Sequence, residues 1–454
     1  MLRQIRHGGT KALCTLHAVG QDVGSCQLHA RAGFWARLGK GGLGKRYADS
    51  RGKRVLVIAP QPFYLDRGTP INVKLFTHVL GEAGYEVDLL VFPCGQDVHI
   101  PNVHVIRLPN IFRVSSIPAG PSKAKLAFDL LLCLSAAALC IRNRYDVIHG
   151  VEEGGFLAVS LGTILRRASV FDMDSCMSKQ LEYSGFIRSR RLLHLASRME
   201  AWALGRSSIV LTMCSALSAS AAHLAPHAKI FQVEDIPPPA GSGPDLVLID
   251  HLRDTFRLWD LPVVLYTGNL ESYQGIDLLL QAWSFVLRRL RGSQRPVLVL
   301  VGGPMERVEY YRQMAADGEM GDWVRLVGPR PLNEMSTWME ISDVLVSPRA
   351  EGDNTPLKIY SYMASGRPVV ATRRATHTQV LSEETAFLAD PEPIDLGQAL
   401  VEAISNKDLA GKRAAQAREL VERKYTFDVF KSKILEAYSW LYKKAVYSSG
   451  EQTS

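Results

Sequence analysis

The sequence predicts an α/β protein made of two doubly wound, Rossmann-like domains facing each other across a cleft. Three observations carry that reading. From Arg54 onward, short runs rich in Val, Ile and Leu alternate with longer helical stretches, the pattern of a parallel sheet. The alternation is interrupted by Pro237-Pro-Pro-Ala-Gly-Ser-Gly-Pro244, a linker composition, and then restarts. A chain of 454 residues, 47% hydrophobic, is long enough for about two to three domains.

The elements follow in order. Val55–Ala59 reads as a buried strand closed by Pro60, with a loop from Gln61 to Pro70 and a helix from Asn72 to Ala83 that Gly84 terminates. Val87–Phe92 and Val103–Arg107 are strands, Lys123–Asn143 a helix, Asp146–His149 a strand and Phe156–Arg166 a helix. Val170–Met173 and Ile209–Met213 are strands with a long helix between them. Beyond the linker, strands are expected at Val263–Thr267, Val297–Val301, Val324–Val327, Val344–Val346 and Val369–Ala371. Helices between them are expected at Ile276–Leu290, Tyr310–Ala316, Glu334–Glu340 and Leu357–Ala364, and Lys407–Lys444 reads as mostly helical.

Charge excludes one class of partner. The chain carries +8, but residues 1–54 alone hold eleven Lys/Arg against Asp22 and Asp49, a surplus of nine, so the rest is near neutral at −1. The basic charge is therefore a tail, and it argues against a nucleic-acid partner. Residues 1–53 have no folding pattern, no continuous apolar signal core, and read as a disordered basic extension. Seven widely spread cysteines without a CxxC pair argue against a zinc site or a disulfide framework. No apolar stretch reaches the roughly 18 residues needed to span a bilayer. The nearest, Leu130–Ile141, reads as a core helix, with a membrane-surface helix as the alternative.

Open parallel sheets bind ligands beyond the carboxyl ends of their strands, so the loops there carry the candidate chemistry. In the first half these are Arg67-Gly68-Thr69-Pro70, His149-Gly-Val-Glu-Glu-Gly-Gly155 and Asp172-Met-Asp174-Ser175. In the second they are Gly268-Asn269-Leu270, Gly302-Gly303-Pro304, Gly328-Pro329-Arg330 and Ser347-Pro-Arg-Ala-Glu-Gly-Asp-Asn-Thr-Pro-Leu-Lys358. Several place a glycine where a helix begins, so backbone N–H groups can point at an anion. Arg349 and Lys358 flank the longest of these loops and are candidate phosphate ligands. His149 is either a satisfied core histidine or a catalytic one, and Glu152 or Glu153 can cap the helix that follows. Asp172 and Asp174 form a DxD with both side chains on one face of the strand, but the duplicated Rossmann pattern argues against a metal-binding DxD.

The second half resembles a known family. Tyr266-Thr-Gly268, Gln274-Gly-Ile-Asp-Leu-Leu-Leu280, Val297-Leu-Val-Leu-Val-Gly-Gly-Pro304, Val324-Arg-Leu-Val-Gly328, Ile341-Ser-Asp-Val-Leu-Val-Ser-Pro348 and Pro356-Leu-Lys-Ile-Tyr-Ser-Tyr-Met-Ala-Ser-Gly-Arg-Pro-Val-Val370 are similar in order and spacing to the nucleotide-sugar domain of glycosyltransferase family 4. Glu82-Ala-Gly-Tyr-Glu-Val87 resembles the helix-to-strand turn of that family's acceptor domain. The resemblance spans about Arg54 to Tyr442 and implies the GT-B fold, with retaining transfer of a sugar from a nucleoside-diphosphate donor and without a metal or other cofactor. It implies an acceptor domain over 54–240, a nucleotide-sugar domain over 241–425 and a C-terminal helix over 426–454 packing back toward the acceptor domain.

The resemblance also assigns residues, with departures. The family's Arg and Lys beyond the first strand of the donor domain are Asn269 and Gln274 here, and its Glu-x7-Glu pair falls on Asp353 and Ser361, with Glu351 a neighbouring substitute. The histidine usually found after the fifth strand is Asp174. Asp174, His149 and Asp353 are thus the expected catalytic residues. The donor set is Gly268, Asn269, Gln274, Gly303, Arg330, Arg349, Glu351, Lys358 and Ser361, and Arg67, Gly68 and Thr69 form the acceptor or phosphate loop. Asn354-Thr-Pro-Leu-Lys358 and Arg67-Gly-Thr-Pro-Ile71 resemble loops of a family subgroup. The expected partners are a nucleoside-diphosphate sugar and a glycan or lipid-linked acceptor, with the protein cytoplasmic or peripheral at the cytoplasmic face of a membrane. A nucleotide-sugar epimerase of the same architecture and a catalytically silent sugar-nucleotide binding protein are the alternatives.

Overall fold

The computed structural model describes residues 52–66, 68–111, 113, 114, 117, 123–183, 189–238, 243–292 and 295–450. Residues 1–51 of the expected basic extension over 1–53, and Arg67, lie outside them. All the described residues belong to one compact unit.

The first sheet contains β1 (Arg54–Pro62), β2 (Glu86–Phe92), β3 (Val103–Arg107), β4 (Val147–Val151), β5 (Ala168–Met173), β6 (Ile209–Thr212) and β7 (Ile230–Gln232). All its pairings are parallel, in the order β3-β2-β1-β4-β5-β6-β7. The helices between them are α1 (Gly68–Glu82), α2 (Lys123–Arg142), α3 (Gly154–Leu165), α4 (Met177–Tyr183), α5 (Arg190–Arg206) and α6 (Ser215–Leu224). Strand β4 is buried along its whole length, as expected for a central strand covered on both faces.

The second sheet contains β8 (Val263–Thr267), β9 (Val297–Val301), β10 (Val324–Gly328), β11 (Val344–Ser347), β12 (Val369–Thr372) and β13 (Phe387–Ala389), in the parallel order β10-β9-β8-β11-β12-β13. Its helices are α7 (Leu246–Phe256), α8 (Ile276–Arg289), α9 (Met305–Asp317), α10 (Met335–Glu340), α11 (Leu357–Ser365), α12 (Ala375–Thr378), α13 (Pro393–Ser405) and α14 (Lys407–Lys424). Helix α8 buries Ile276, Leu279, Leu280, Trp283, Val286 and Leu287 on one face and carries Asp277 in its first turn and Arg288 and Arg289 in its last, matching the helix dipole. The final helix, α15 (Phe427–Gly450), returns to the first sheet and packs against α1 and β7.

The predicted pair of parallel α/β domains is the architecture observed. Several local expectations change. Strand β1 continues through Pro60 to Pro62, and the expected loop Gly68-Thr69-Pro70 is the first turn of α1. Proline is tolerated there because a first-turn N–H has no intrahelical partner. Two helices, α4 and α5, occupy the connection read as one long helix. The Leu130–Ile141 segment is not a wholly buried core helix: Leu130, Leu134 and Ile141 are exposed.

Candidate active site

Each sheet has a topological switch point, between β1 and β4 in the first and between β8 and β11 in the second. The crevice beyond the strands at such a point is where this fold class places its ligands.

Four carboxylates gather at the first switch point. Glu152 lies just past β4 with a left-handed φ of 49°, uncommon for a residue with a side chain, and its N–H donates to the Asp172 carbonyl at 2.8 Å. Asp172 and Asp174 follow along and beyond β5, and Asp235 comes in beyond β7; all three aspartates are buried. Burial, together with Glu153 and Asp172, pushes Glu152 up to about 7. Burial and the Asp172 charge push Asp235 up to about 7 as well. Asp174 rises well above the usual carboxylate range through burial and the charges of Asp172, Glu152 and Asp235, while a hydrogen bond from the Thr69 side chain opposes the rise. One Asp174 oxygen, Oδ1, is buried without a hydrogen-bond partner. Carboxyl groups whose protons are held this much more tightly than usual can give as well as accept hydrogen bonds. Among the described residues no group of three or more His, Cys, Asp or Glu side chains is arranged to hold a metal ion.

His149, on β4, is fully buried and stacks on Phe76 with ring centroids 4.6 Å apart. Its Nδ1 is 2.8 Å from the Tyr438 hydroxyl and its Nε2 3.2 Å from Asp172 Oδ2. Both ring nitrogens are engaged, so the imidazole orients Asp172 and leaves no edge for a substrate. Of the two sequence-level readings, the geometry is that of the satisfied core histidine. Glu153 precedes α3, but its carboxylate makes no capping bond and instead pairs with Lys125.

The second switch point is cationic. Lys358, in the first turn of α11, donates to Gln274 Oε1 at 3.1 Å and stands 3.9 Å from the centroid of the Tyr266 ring. Burial and the nearby Arg349 charge hold its ammonium well below the usual lysine range. An amine so placed, with a neutral amide as its acceptor, gains stability from an added anion. Gly268 follows β8 with φ 141°, and a Cβ there would lie 3.0 Å from Lys358 Nζ. Gly302 (φ 116°) passes so close to Gly268 that a Cβ would meet its carbonyl oxygen at 2.1 Å. Only glycine meets both demands at these two turns. Gly303 continues the same turn, Asn269 is exposed and donates to the Tyr273 hydroxyl at 3.0 Å, and Ser361 is half-buried on α11.

Arg349 is not the open phosphate fork the loop suggested. Its Nε donates to the Glu351 carbonyl at 2.8 Å, one terminal nitrogen to Asn354 Oδ1 at 2.8 Å, and the guanidinium stacks on Tyr273. It shapes the 349–354 loop and adds positive potential beside Lys358. Asp353 likewise serves as a bridge: its carboxylate is 3.3 Å from Lys179 Nζ on α4, and its carbonyl accepts from Gln379 Nε2 at 2.9 Å. Gln379 Oε1 in turn accepts from Ala216 N–H and the Ser215 hydroxyl at the start of α6. The carboxyl-end loops of the two sheets are thereby tied together. Arg330 and Glu351 are exposed, and Gly68 and Thr69 sit at the start of α1, which places Thr69 against Asp174. Beneath the 347–358 loop, fully buried His377 links Ser347 Oγ (2.9 Å) to the Thr372 carbonyl (2.8 Å), and burial lowers it to about 3.

Sequence reasoning did not single out Asp235 or Thr355. Asp235 reaches the cluster through β7, a three-residue strand too short to show periodicity. Thr355, in the Asn354-Thr-Pro-Leu-Lys358 loop, is 1% exposed with an unpartnered hydroxyl, a donor available at the site.

Comparison with known proteins bears on the same two halves. The family model for "Glycosyl transferases group 1" matches residues 261–406. The GDP-mannose-dependent alpha-(1-6)-phosphatidylinositol monomannoside mannosyltransferase of Mycobacterium tuberculosis is 26% identical over 246 residues, which is 51% of this chain and 62% of that protein. The match thus spans about three fifths of that relative. The phosphatidyl-myo-inositol mannosyltransferase of Mycobacterium leprae is 25% identical over 395 residues, covering 85% of this chain and 96% of that one. The sucrose-phosphate synthase structure from Thermosynechococcus elongatus superposes with a TM-score of 0.69 at 20% identity over 87% of this chain and 100% of the other. Likeness of fold across both sheets and likeness of sequence in the second half converge: the chain has the two-sheet GT-B architecture, and its residues 261–406 are similar in sequence to the group 1 glycosyl transferases.

Proposed function

We propose that the protein transfers a hexose-type sugar from a nucleoside-diphosphate sugar to a hydroxyl of a lipid-linked acceptor, with retention and without a metal. The observation that carries this reading is the charge layout: a half-buried Lys358 at the glycine turns of one switch point, and a protonatable carboxylate cluster at the other. The Gly268 and Gly302 turns, whose own N–H groups are bound to the Val301 and Gly328 carbonyls, let the donor approach closely, and Lys358, with the Arg349 potential behind it, offsets the charge that grows on the departing diphosphate. On this reading Asp174, Thr69 and Glu152 hold sugar or acceptor hydroxyls. Two mycobacterial relatives whose names state phosphatidylinositol-type acceptors support the lipid-linked class. Peripheral attachment at the cytoplasmic face of a membrane fits such an acceptor.

The experiment is a thermal-shift screen against UDP-, GDP-, ADP- and dTDP-sugars, followed by transfer of labelled sugar from the stabilising donor to a lipid extract. A donor that binds the folded state raises the melting temperature by mass action. If no sugar nucleotide and no free nucleoside diphosphate shifts it, the reading fails.

A further inference from the structure

Helices α2, α3 and α5 pack side by side in one layer on the first sheet, as successive right-handed crossovers require. Among the described residues, seventeen large apolar side chains are exposed, and ten of them stand on these three helices. They are not scattered. Leu126, Leu130 and Leu134 recur every fourth residue on α2, and Leu192, Leu195, Met199 and Trp202 follow at intervals of three, four and three on α5. Both spacings draw a stripe along one helix face. Isolated exposed leucines are ordinary on a soluble surface; aligned stripes on neighbouring helices mark a binding face.

The charge on the same layer identifies the partner. Exposed Arg142, Arg166 and Arg167 stand at the carboxyl ends of α2 and α3, and exposed Arg191, Arg198 and Arg206 border the stripe of α5. The three helices hold two acids only: Asp129 is half-buried, and Glu200 is fully buried, accepting from the Met177 and Ser178 N–H groups. An apolar band with a rim of a single positive sign suits an anionic lipid surface. It does not suit a second copy of the chain, which would bring one arginine rim against another. No helix among the described residues is long and apolar enough to cross a membrane.

We propose that the outer face of α2, α3 and α5 docks on an anionic bilayer, its leucine and tryptophan stripes entering the headgroup–acyl boundary and its arginines pairing with lipid phosphates. The face ends at the site. Leu126 adjoins Lys125, which pairs with Glu153 beside Glu152 of the carboxylate cluster. On the transfer reading above, an acceptor held in the bilayer therefore reaches the cluster at the start of α2.

The test is co-sedimentation of the full-length chain with vesicles of phosphatidylcholine alone or of equimolar phosphatidylcholine and phosphatidylglycerol, with no donor or acceptor present. Binding to the anionic vesicles should be at least about tenfold tighter than to the neutral ones, and Arg191→Glu/Arg198→Glu should remove most of that preference. Leu130→Gln/Leu134→Gln should weaken binding by at least about tenfold with an unchanged melting temperature, since both positions are exposed. Vesicles should shift the emission difference between the wild type and Trp202→Phe to the blue. Equal binding of wild type and the leucine variant, or a Trp202 emission that does not move, overturns the proposal and leaves attachment to other basic residues such as those before Arg54. A dimer that the leucine variant dissociates overturns it in favour of a second copy. Absence of vesicle binding refutes this surface without touching the sugar-transfer reading, and absence of transfer leaves the vesicle result standing.

Discussion

The hydroxyl of Tyr438 meets Nδ1 of His149 at 2.8 Å, joining the final helix to the central strand of the first sheet across 289 positions of sequence. The same imidazole holds Asp172 through Nε2, so the last helix helps to set the carboxylate cluster. Lys431 with Glu82 and Lys433 with Glu234 fasten the same helix to the end of α1 and to the segment just beyond β7. Tyr438→Phe removes a fully buried partner and leaves His149 Nδ1 unsatisfied. It should cost about 1–3 kcal/mol, read as a lower urea midpoint at unchanged slope. A midpoint within error of the wild type would show that the clasp carries no energy.

Lys358 and Arg349 should separate in their effects. Lys358→Ala removes the cation at the glycine turns and should lower kcat/KM by roughly 10²–10³ with little change in melting temperature. Arg349→Lys keeps the charge but loses the fork that holds Glu351 and Asn354 together, so it should lower stability and donor affinity jointly. Asn269→Ala, at an exposed position, should cost far less than either. Measured kinetics beside thermal melts of the three variants decide the ranking; equal losses for Lys358→Ala and Asn269→Ala would place the diphosphate elsewhere.

The sequence made most of this fold legible because a buried parallel strand writes itself as an uninterrupted apolar run. Strands β8 and β9 begin and end where the Val-rich runs do. Strands β7 and β13 have three residues each, too few for a period, and their places are set by pairing with β6 and β12. The candidate site is legible as a set of loops, since glycine marks Gly268 and Gly302 where no other residue fits. What each charged side chain does there is not legible. Arg349 and Lys358 are both cations flanking one loop, and only the folded loop distinguishes the first, consumed by Glu351 and Asn354 of its own loop, from the second, which faces a neutral amide. The histidine at the end of β4 is equally silent, because its partner is contributed by the far end of the chain.

Gly302→Ala tests the turn on which the donor loops depend. The new methyl would fall 2.1 Å from the Gly268 carbonyl oxygen, at a φ that side chains avoid. The backbone must then move at Gly268, beside Lys358. Donor affinity should fall by roughly tenfold or more, along with a loss of about 1–3 kcal/mol in stability. A variant with wild-type donor binding would show that the turn tolerates displacement without consequence for the site.

The two buried titrating systems predict opposite slopes of stability with pH. Glu152 and Asp235 have folded pKa values raised from the ordinary carboxylate range to about 7. The folded state therefore holds their protons more tightly than the unfolded state does. The resulting advantage is complete below about pH 4 and is lost as pH rises toward 7. His377 has the contrary shift: burial lowers it to about 3, so the folded state prefers it neutral. Its contribution is present above about pH 6.5 and is lost as pH falls toward 3. Glu152→Gln should flatten the neutral-pH loss, raising stability at pH 8 by about 1–3 kcal/mol while leaving pH 4 nearly unchanged. Because the neighbouring Asp174 then faces one charge fewer, the pH at which kcat/KM changes should also move down. Urea titrations of wild type and Glu152→Gln at pH 4, 6 and 8 read the first effect and a pH–rate profile the second. A uniform offset at all three pH values would show that Glu152 is ionised throughout and that the cluster does not hold its proton.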